Sequence, residues 1–364
     1  MRRFVAVALI VVVCSVVSWS QPLAEAEEHN RRGLILFKDN NWTGAEAEYR
    51  KGLSILQAIG RDGMPQYTAM LTNLGVALQS QGRIAEARKA LEECIDIETT
   101  KLGNRGTTLA SALNSLALME KTEMEFGKSV TLLKRALALK YVDEKTRAST
   151  LHNLGSTYFE MGQRSKAEQM FEAAVSEYER LDATAELSPA LTYLAKIAAG
   201  KSDFARAESL LNRAFEARIK AFGPEHLYVA MTLSDLGTFE TERGRHDEAV
   251  AHFERALQIA EPVVGKDHLF IAPVLYNYAE VKRKQDRYSE ALALYERTIR
   301  IIERHYGPEQ PRLAAVYINA SRCAAKLKRK PEAKEYAQRA RAIQDRTIDY
   351  GRHAVDISAF LPGK

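Results

Sequence analysis

The 364-residue chain predicts an all-α solenoid of about eight helical hairpins, and three periodic features carry that expectation. The first is a loop signature: FGPEH at 222–226 returns as VGKDH at 264–268 and as YGPEQ at 306–310, two steps of 42 residues. The second is a series of small residues, Gly33, Gly75, Ala117, Gly155, Ala195, Gly237, Ala279 and Ser321, at spacings of 42, 42, 38, 40, 42, 42 and 42. The third follows each of these by twelve residues: Ala45, Ala87, Ser129, Ala167, Ala207, Ala249, Ala291 and Ala333.

The first helix of a unit is read from LTNLGVAL (71–78), LHNLGSTY (151–158) and LSDLGTFE (233–240), whose apolar residues recur every three or four positions. The second follows from Ala167, Phe171 and Ala174, repeated as Ala249, Phe253 and Ala256. Small residues on facing helices let the two backbones approach, and the bulky residue beside them fills the groove. Between the two helices, Gly82, Gly162 and Gly244 mark an inner turn, with Asn40, Ser202 and Asp286 at the same register. Met124 and Lys328 depart from that turn chemistry. Gly223-Pro224 ends one hairpin, and Glu225 is expected where negative charge favours the next helix start. Such short helices are marginal singly, so stacking is what buries a continuous core.

These positions resemble the tetratricopeptide repeat, matching its W-x2-L-G-x2-Y, A-x3-F and small-residue positions from residue 26 to about 342. The 42-residue period and the G-x-x-H loop resemble the variant found in kinesin light chains and in many exported bacterial scaffold proteins. The resemblance implies a right-handed superhelix with a concave groove in which extended peptides lie. It implies no particular ligand.

Residues 1–20 read as a signal peptide, with Arg2 and Arg3 before an uncharged apolar run from Phe4 to Val17. Cleavage is expected after Ser20 or as late as Ala26. The protein is therefore expected to be exported, periplasmic or secreted, with inner-membrane tethering by an uncleaved segment as the alternative; the run is shorter than the roughly 20 residues that span a bilayer. No stable membrane insertion is expected after cleavage. Residues 26–342 form the expected solenoid and 343–364 a helix end with a tail whose Val355, Ile357, Phe360 and Leu361 fall outside the repeat register. Losing Arg2 and Arg3 lowers the formal charge from +5 to +3, too little to indicate nucleic acid. Cys94 and Cys323 lie too far apart along an array to pair and read as core residues.

Motifs for nucleotide, metalloprotease, redox or hydrolase chemistry are missing from the sequence, and the repeats leave little chain for a catalytic domain. No catalytic residues, cofactor or metal are expected; His226 and His268 read as loop packing or capping groups. Binding has more support. Two positions before each small residue stand Arg31, Asn73, Ser115, Asn153, Tyr193, Asp235, Asn277 and Asn319. A two-residue step turns a helix by about 200°, so this stripe faces away from the partner helix. Asparagine offers an acceptor and two donors, enough to pair with a peptide backbone whatever its sequence. Bridging between adjacent helices is the competing role. Asn319, Arg322 and Lys326 continue the stripe beside Arg283 and Lys284, a donor cluster suited to a carboxylate or an acidic segment. It resembles the carboxylate clamp of chaperone-binding repeats but departs from it at Tyr276 and Ile318. The peptide-binding set is thus Asn73, Asn153, Tyr193, Asp235, Asn277, Asn319, Arg283, Arg322 and Lys326. The expected role is a non-enzymatic scaffold binding a protein or peptide partner. The alternative is a structural subunit of an envelope complex that uses its convex face or terminal hairpins, and self-association is compatible with either.

Overall fold

Pairing of a small residue with a bulky one sets how the helices meet. A Cβ added to Gly75 would lie 2.7 Å from Cγ of Leu91, one on Gly155 3.0 Å from the Phe171 ring, and one on Gly237 2.8 Å from Cζ of Phe253. Tyr49 fills the same space beside Gly33. Each bulky residue stands sixteen positions after its small partner; at that register Ala117 and Ala195 are matched by the smaller Leu133 and Leu211. All of these bulky side chains are buried.

The computed structural model describes residues 21–349 apart from 61, 63, 104 and 105. The signal-like segment 1–20 and the apolar tail from 354 lie outside the described residues. Two units are formed, residues 1–181 and 182–364. In the first, helices run α1 (21–38), α2 (Trp42–Ala58), α3 (Pro65–Ser80), α4 (Ile84–Thr100), α5 (Thr107–Thr122), α6 (Phe126–Ala138), α7 (Glu144–Glu160) and α8 (Arg164–Arg180). In the second they run α9 (Thr184–Gly200), α10 (Phe204–Phe222), α11 (Leu227–Glu242), α12 (His246–Val264), a 3-10 turn (Leu269–Ile271), α13 (Ala272–Lys284), α14 (Tyr288–Tyr306), α15 (Leu313–Lys326) and α16 (Lys330–Asp349). The all-α hairpin architecture is therefore present in both units, and no strand occurs among the described residues. Within each unit consecutive helices pack in sequence, and first helices of successive hairpins also touch: α3 with α5, α5 with α7, α9 with α11, α11 with α13.

The inner turns share one conformation whatever residue occupies them. Asn40, Gly82, Met124, Gly162, Ser202, Gly244, Asp286 and Lys328 all have positive φ, between 58° and 76°. In every case the next residue's N–H donates to the carbonyl five positions earlier at 2.8–3.0 Å, as in Arg83 to Leu78 or Arg329 to Ala324. This is the Schellman arrangement, which closes a helix only with a left-handed residue at that point. Met124 and Lys328, which depart in sequence, do not depart in structure: the hairpin imposes the turn on them.

At the outer loops Gly223, Gly265 and Gly307 cap α10, α12 and α14 with φ of 82°, 87° and 84°. His226 and His268 then cap the following helical segments, each Nδ1 accepting from a backbone N–H two residues on, at 3.1 and 3.2 Å. Glu225 stays in the loop rather than in the first turn of α11 and pairs with Arg255 of α12. Cys94 and Cys323 are free and buried, and burial pushes their thiols up to about 12 and about 11. No helix among the described residues is long and apolar enough to cross a membrane.

Candidate functional site

The stripe two positions before the small residues does lie on the first helices, and its polar groups reach backward by one repeat. In the first unit Asn73 of α3 donates from Nδ2 to Oδ1 of Asn30 in α1 at 2.9 Å, and Asn153 of α7 donates to Oδ1 of Asn114 in α5 at 3.1 Å. In the second unit Asp235 of α11 pairs with Lys196 of α9 at 3.2 Å, and Asn277 of α13 donates to Oγ1 of Thr238 in α11 at 3.2 Å. The Asp235 carboxylate holds the Lys196 ammonium above the ordinary lysine range. That ammonium also sits 5.9 Å from the ring of Tyr193 on its own helix. Bridging between first helices is thus one role of the stripe. It uses one amide hydrogen of Asn73, Asn153 and Asn277; the other hydrogen and Oδ1 of each find no protein partner among the described residues.

Asn319 of α15 differs because it is buried and fully engaged. Its Nδ2 donates both to the Tyr276 hydroxyl at 3.0 Å and to Oε1 of Glu280 at 2.8 Å, while its Oδ1 accepts from Arg322 at 3.1 Å. Glu280 also accepts from the Tyr295 hydroxyl and, through Oε2, from Arg283 at 2.7 Å. Burial first, then the Glu280 charge, drives the Tyr276 and Tyr295 hydroxyls above the usual phenol range. The hydrogen bond to Glu280 raises Arg283 further. The donor cluster read from sequence as suited to a carboxylate already holds one, contributed by its own helix. Glu280 was not singled out in the sequence, although its place three residues before Arg283 on one helix is the spacing of a surface ion pair.

Beside this network lies a cleft of about 120 Å³ lined by the start of α13, the end of α14 and the start of α15, including Leu269, Tyr276, Asn277, Ile302, Tyr306 and Val316. Pro273, Tyr306 and Arg312 at its edge are exposed. Tyr276 joins the two features: it lines the cleft, and its hydroxyl belongs to the Asn319 network. Nothing in the sequence pattern marked the cleft, since its lining comes from three helices whose N- and C-terminal turns meet only once the hairpins stack.

Of the residues expected to bind a peptide, Asn73 and Asn153 belong to the first unit and Tyr193, Asp235, Asn277, Arg283, Asn319, Arg322 and Lys326 to the second. The second unit brings Asn277, Arg283, Asn319 and Arg322 together around Tyr276 and Glu280. Arg322 and Lys326 are exposed, and the Lys326 ammonium lies 5.9 Å from the Tyr288 ring. No group of three His, Cys, Asp or Glu side chains among the described residues could hold a metal ion.

A sequence model of one family, described as Tetratricopeptide repeat, matches residues 24–99, 108–180, 186–262, 228–303 and 270–346. Among solved structures, BtubC (BKLC) from P. vanneervenii is 22% identical, with 62% of this chain and 92% of that chain covered and a TM-score of 0.51. The apo form of RapI is 15% identical, with 90% and 99% covered and a TM-score of 0.59. A Rap protein complexed with competence and sporulation factor is 15% identical, with 90% and 100% covered and a TM-score of 0.57. At these identities the likeness is one of fold. No curated protein matches the chain in sequence.

Proposed function

We propose, from the premise that this chain belongs to the tetratricopeptide repeat family, that it is a non-enzymatic interaction scaffold whose first-helix walls receive an extended segment of a partner protein. The groove lined by the first helices within each unit is the site, and the partner segment is acidic or bears a carboxylate. The observation that carries this reading is the half-used asparagine stripe. Asn73, Asn153 and Asn277 each spend one N–H on the neighbouring repeat and keep a donor and an acceptor for a peptide group. The bridging bonds fix the rotamers of these side chains, which lowers the entropy lost on binding. Likeness of fold to a Rap protein solved in complex with competence and sporulation factor supports a binding role. The signal-like segment supports action outside the cytoplasm.

A second reading, assembly through a terminal hairpin, is favoured by one observation: Leu34, Ile35 and Trp42 of the first hairpin are exposed apolar side chains. The two readings separate by mutation. Asn277→Ala combined with Arg322→Ala, both off the core, abolishes capture of cross-linked partner with unchanged helicity if the groove is used. Loss of capture on Leu34→Lys with Ile35→Glu, and none on the groove pair, would instead assign the terminal hairpin.

A further inference from the structure

Ion pairs engage most of the arginines in the second unit: Arg243, Arg245, Arg255, Arg297 and Arg339 all have a carboxylate within reach. Three cations on α13 and α15 do not. Lys284 donates only to the backbone oxygen of Thr241 at 3.4 Å, Arg322 to Oδ1 of Asn319 at 3.1 Å, and Lys326 lies over the Tyr288 ring. None of the three forms an ion pair among the described residues, and all three are exposed. Arg283 cannot serve in the same way, because Glu280 already holds it. A short hydrogen-bonded path leads from Arg322 to the cleft, through Asn319 to Tyr276, which is one of the residues lining it.

Resting on the groove reading above, we infer that the cleft and the cations Lys284, Arg322 and Lys326 form one bipartite site for a partner segment that carries an apolar side chain and, three or four residues away, a carboxylate. The size of the cleft selects the first element. At about 120 Å³ it is smaller than the roughly 300–1,000 Å³ of small-molecule sites and close to the roughly 150 Å³ cavity that takes one benzene ring. One leucine- or phenylalanine-sized group fills it. The spacing along α15 sets the second element. Ala315 at the cleft and Arg322 in the basic cluster are seven residues apart, about 10 Å at 1.5 Å per helical residue. An extended segment rises about 3.3 Å per residue and covers that distance in three. An arginine side chain adds reach, which admits four. The carboxylate is selected by charge: Glu280 is engaged by Arg283, Tyr295 and Asn319, no carboxylate forms an ion pair with Lys284, Arg322 or Lys326 among the described residues, and guanidinium binds carboxylate with paired donors.

The test is selection of random twelve-residue displayed peptides against the immobilised full chain at low salt. The site predicts that enriched peptides share an apolar residue and an Asp or Glu three or four positions apart. It predicts a tenfold or greater loss of their binding on Ala315→Trp, which fills the cleft, and at least fivefold on Arg322→Glu with Lys326→Glu. The latter positions are exposed, so that pair keeps the test valid if Ala315→Trp perturbs folding. Gln258→Glu on α12 leaves binding unchanged. Enriched peptides without the pairing, whose binding still falls on Asn277→Ala, overturn the bipartite site and leave the groove reading standing. No enrichment above a chain carrying Asn277→Ala and Arg322→Ala overturns both. Enrichment that appears only when Phe360 and Leu361 are both changed to Asp assigns the cleft to the chain's own tail, where Asp356 precedes Phe360 by four residues, and overturns the partner assignment.

Discussion

The ring of Phe253 occupies the space that a Cβ on Gly237 would need, at 2.8 Å from Cζ. Adding that methyl forces the ring to move, at a typical overpacking cost of about 1–3 kcal/mol, against a helix-propensity gain of about 1 kcal/mol over glycine. Gly237→Ala is therefore expected to lower stability by up to about 2 kcal/mol. Ala195 with Leu211 shows the complementary solution in the same unit. Gly237→Ala with Phe253→Leu should cost less than the sum of the single changes, a coupling read from urea unfolding of the four proteins.

Met124 and Lys328 carry left-handed backbone at φ of 63° and 62°, which costs a side-chain-bearing residue about 1–2 kcal/mol. Glycine removes that strain and gives back part of it as unfolded-state entropy. Met124→Gly and Lys328→Gly are each expected to raise stability by about 0.5–1 kcal/mol. The reverse change, Gly82→Met, should lower it, and thermal melts of the three variants check the sign.

Glu280 satisfies Tyr295, Asn319 and Arg283 together. Glu280→Ala leaves a half-buried guanidinium and two buried donors without their acceptor, an expected loss of about 2–4 kcal/mol. Glu280→Gln keeps an acceptor and should cost less. Amide exchange over α13 to α15 should accelerate more in the alanine variant than in the glutamine one.

His152 on α7 packs edge-on against Phe171 at 5.5 Å, and burial, with Lys121 nearby adding positive charge, lowers its imidazole to about 4. The unfolded chain takes up this proton near pH 6.5, where the folded chain does not. Stability is thus complete above that pH, falls as the pH drops from 6.5 to about 4, and levels below. The loss amounts to up to about 3 kcal/mol from this one group. Urea midpoints at pH 7.5, 5.5 and 4 should show a shallower fall in His152→Leu than in the parent chain.

Much of the fold was legible because a repeat states its rule eight times. The small-residue register located every hairpin, and the resemblance to tetratricopeptide repeats is matched by the family's sequence pattern over both units. At Met124 and Lys328 the residue type departs from the turn chemistry while the backbone keeps the turn, because residue identity is only a preference whereas Schellman closure is a requirement. The site was less legible. Periodicity placed Asn277 and Asn319 on one stripe, yet it could not tell that Asn319 is sealed by Tyr276 and Glu280 while Asn277 keeps hydrogen-bonding capacity. That difference depends on which neighbours stacking brings within 3 Å, and the repeat pattern is silent about them. The division at Leu181 and Asp182 likewise follows the shortened spacings of 38 and 40 without being announced by them.

The central claim is that partners meet the first-helix wall. Photo-cross-linking measures it most directly, with benzoylphenylalanine placed in the full chain at Asn277 on α13, at Gln258 on the second helix α12, or at Ile35 in the first hairpin. A covalent partner adduct from position 277 and none from 258 or 35 is the predicted result. Adducts from 258 or 35 with none from 277 would contradict it.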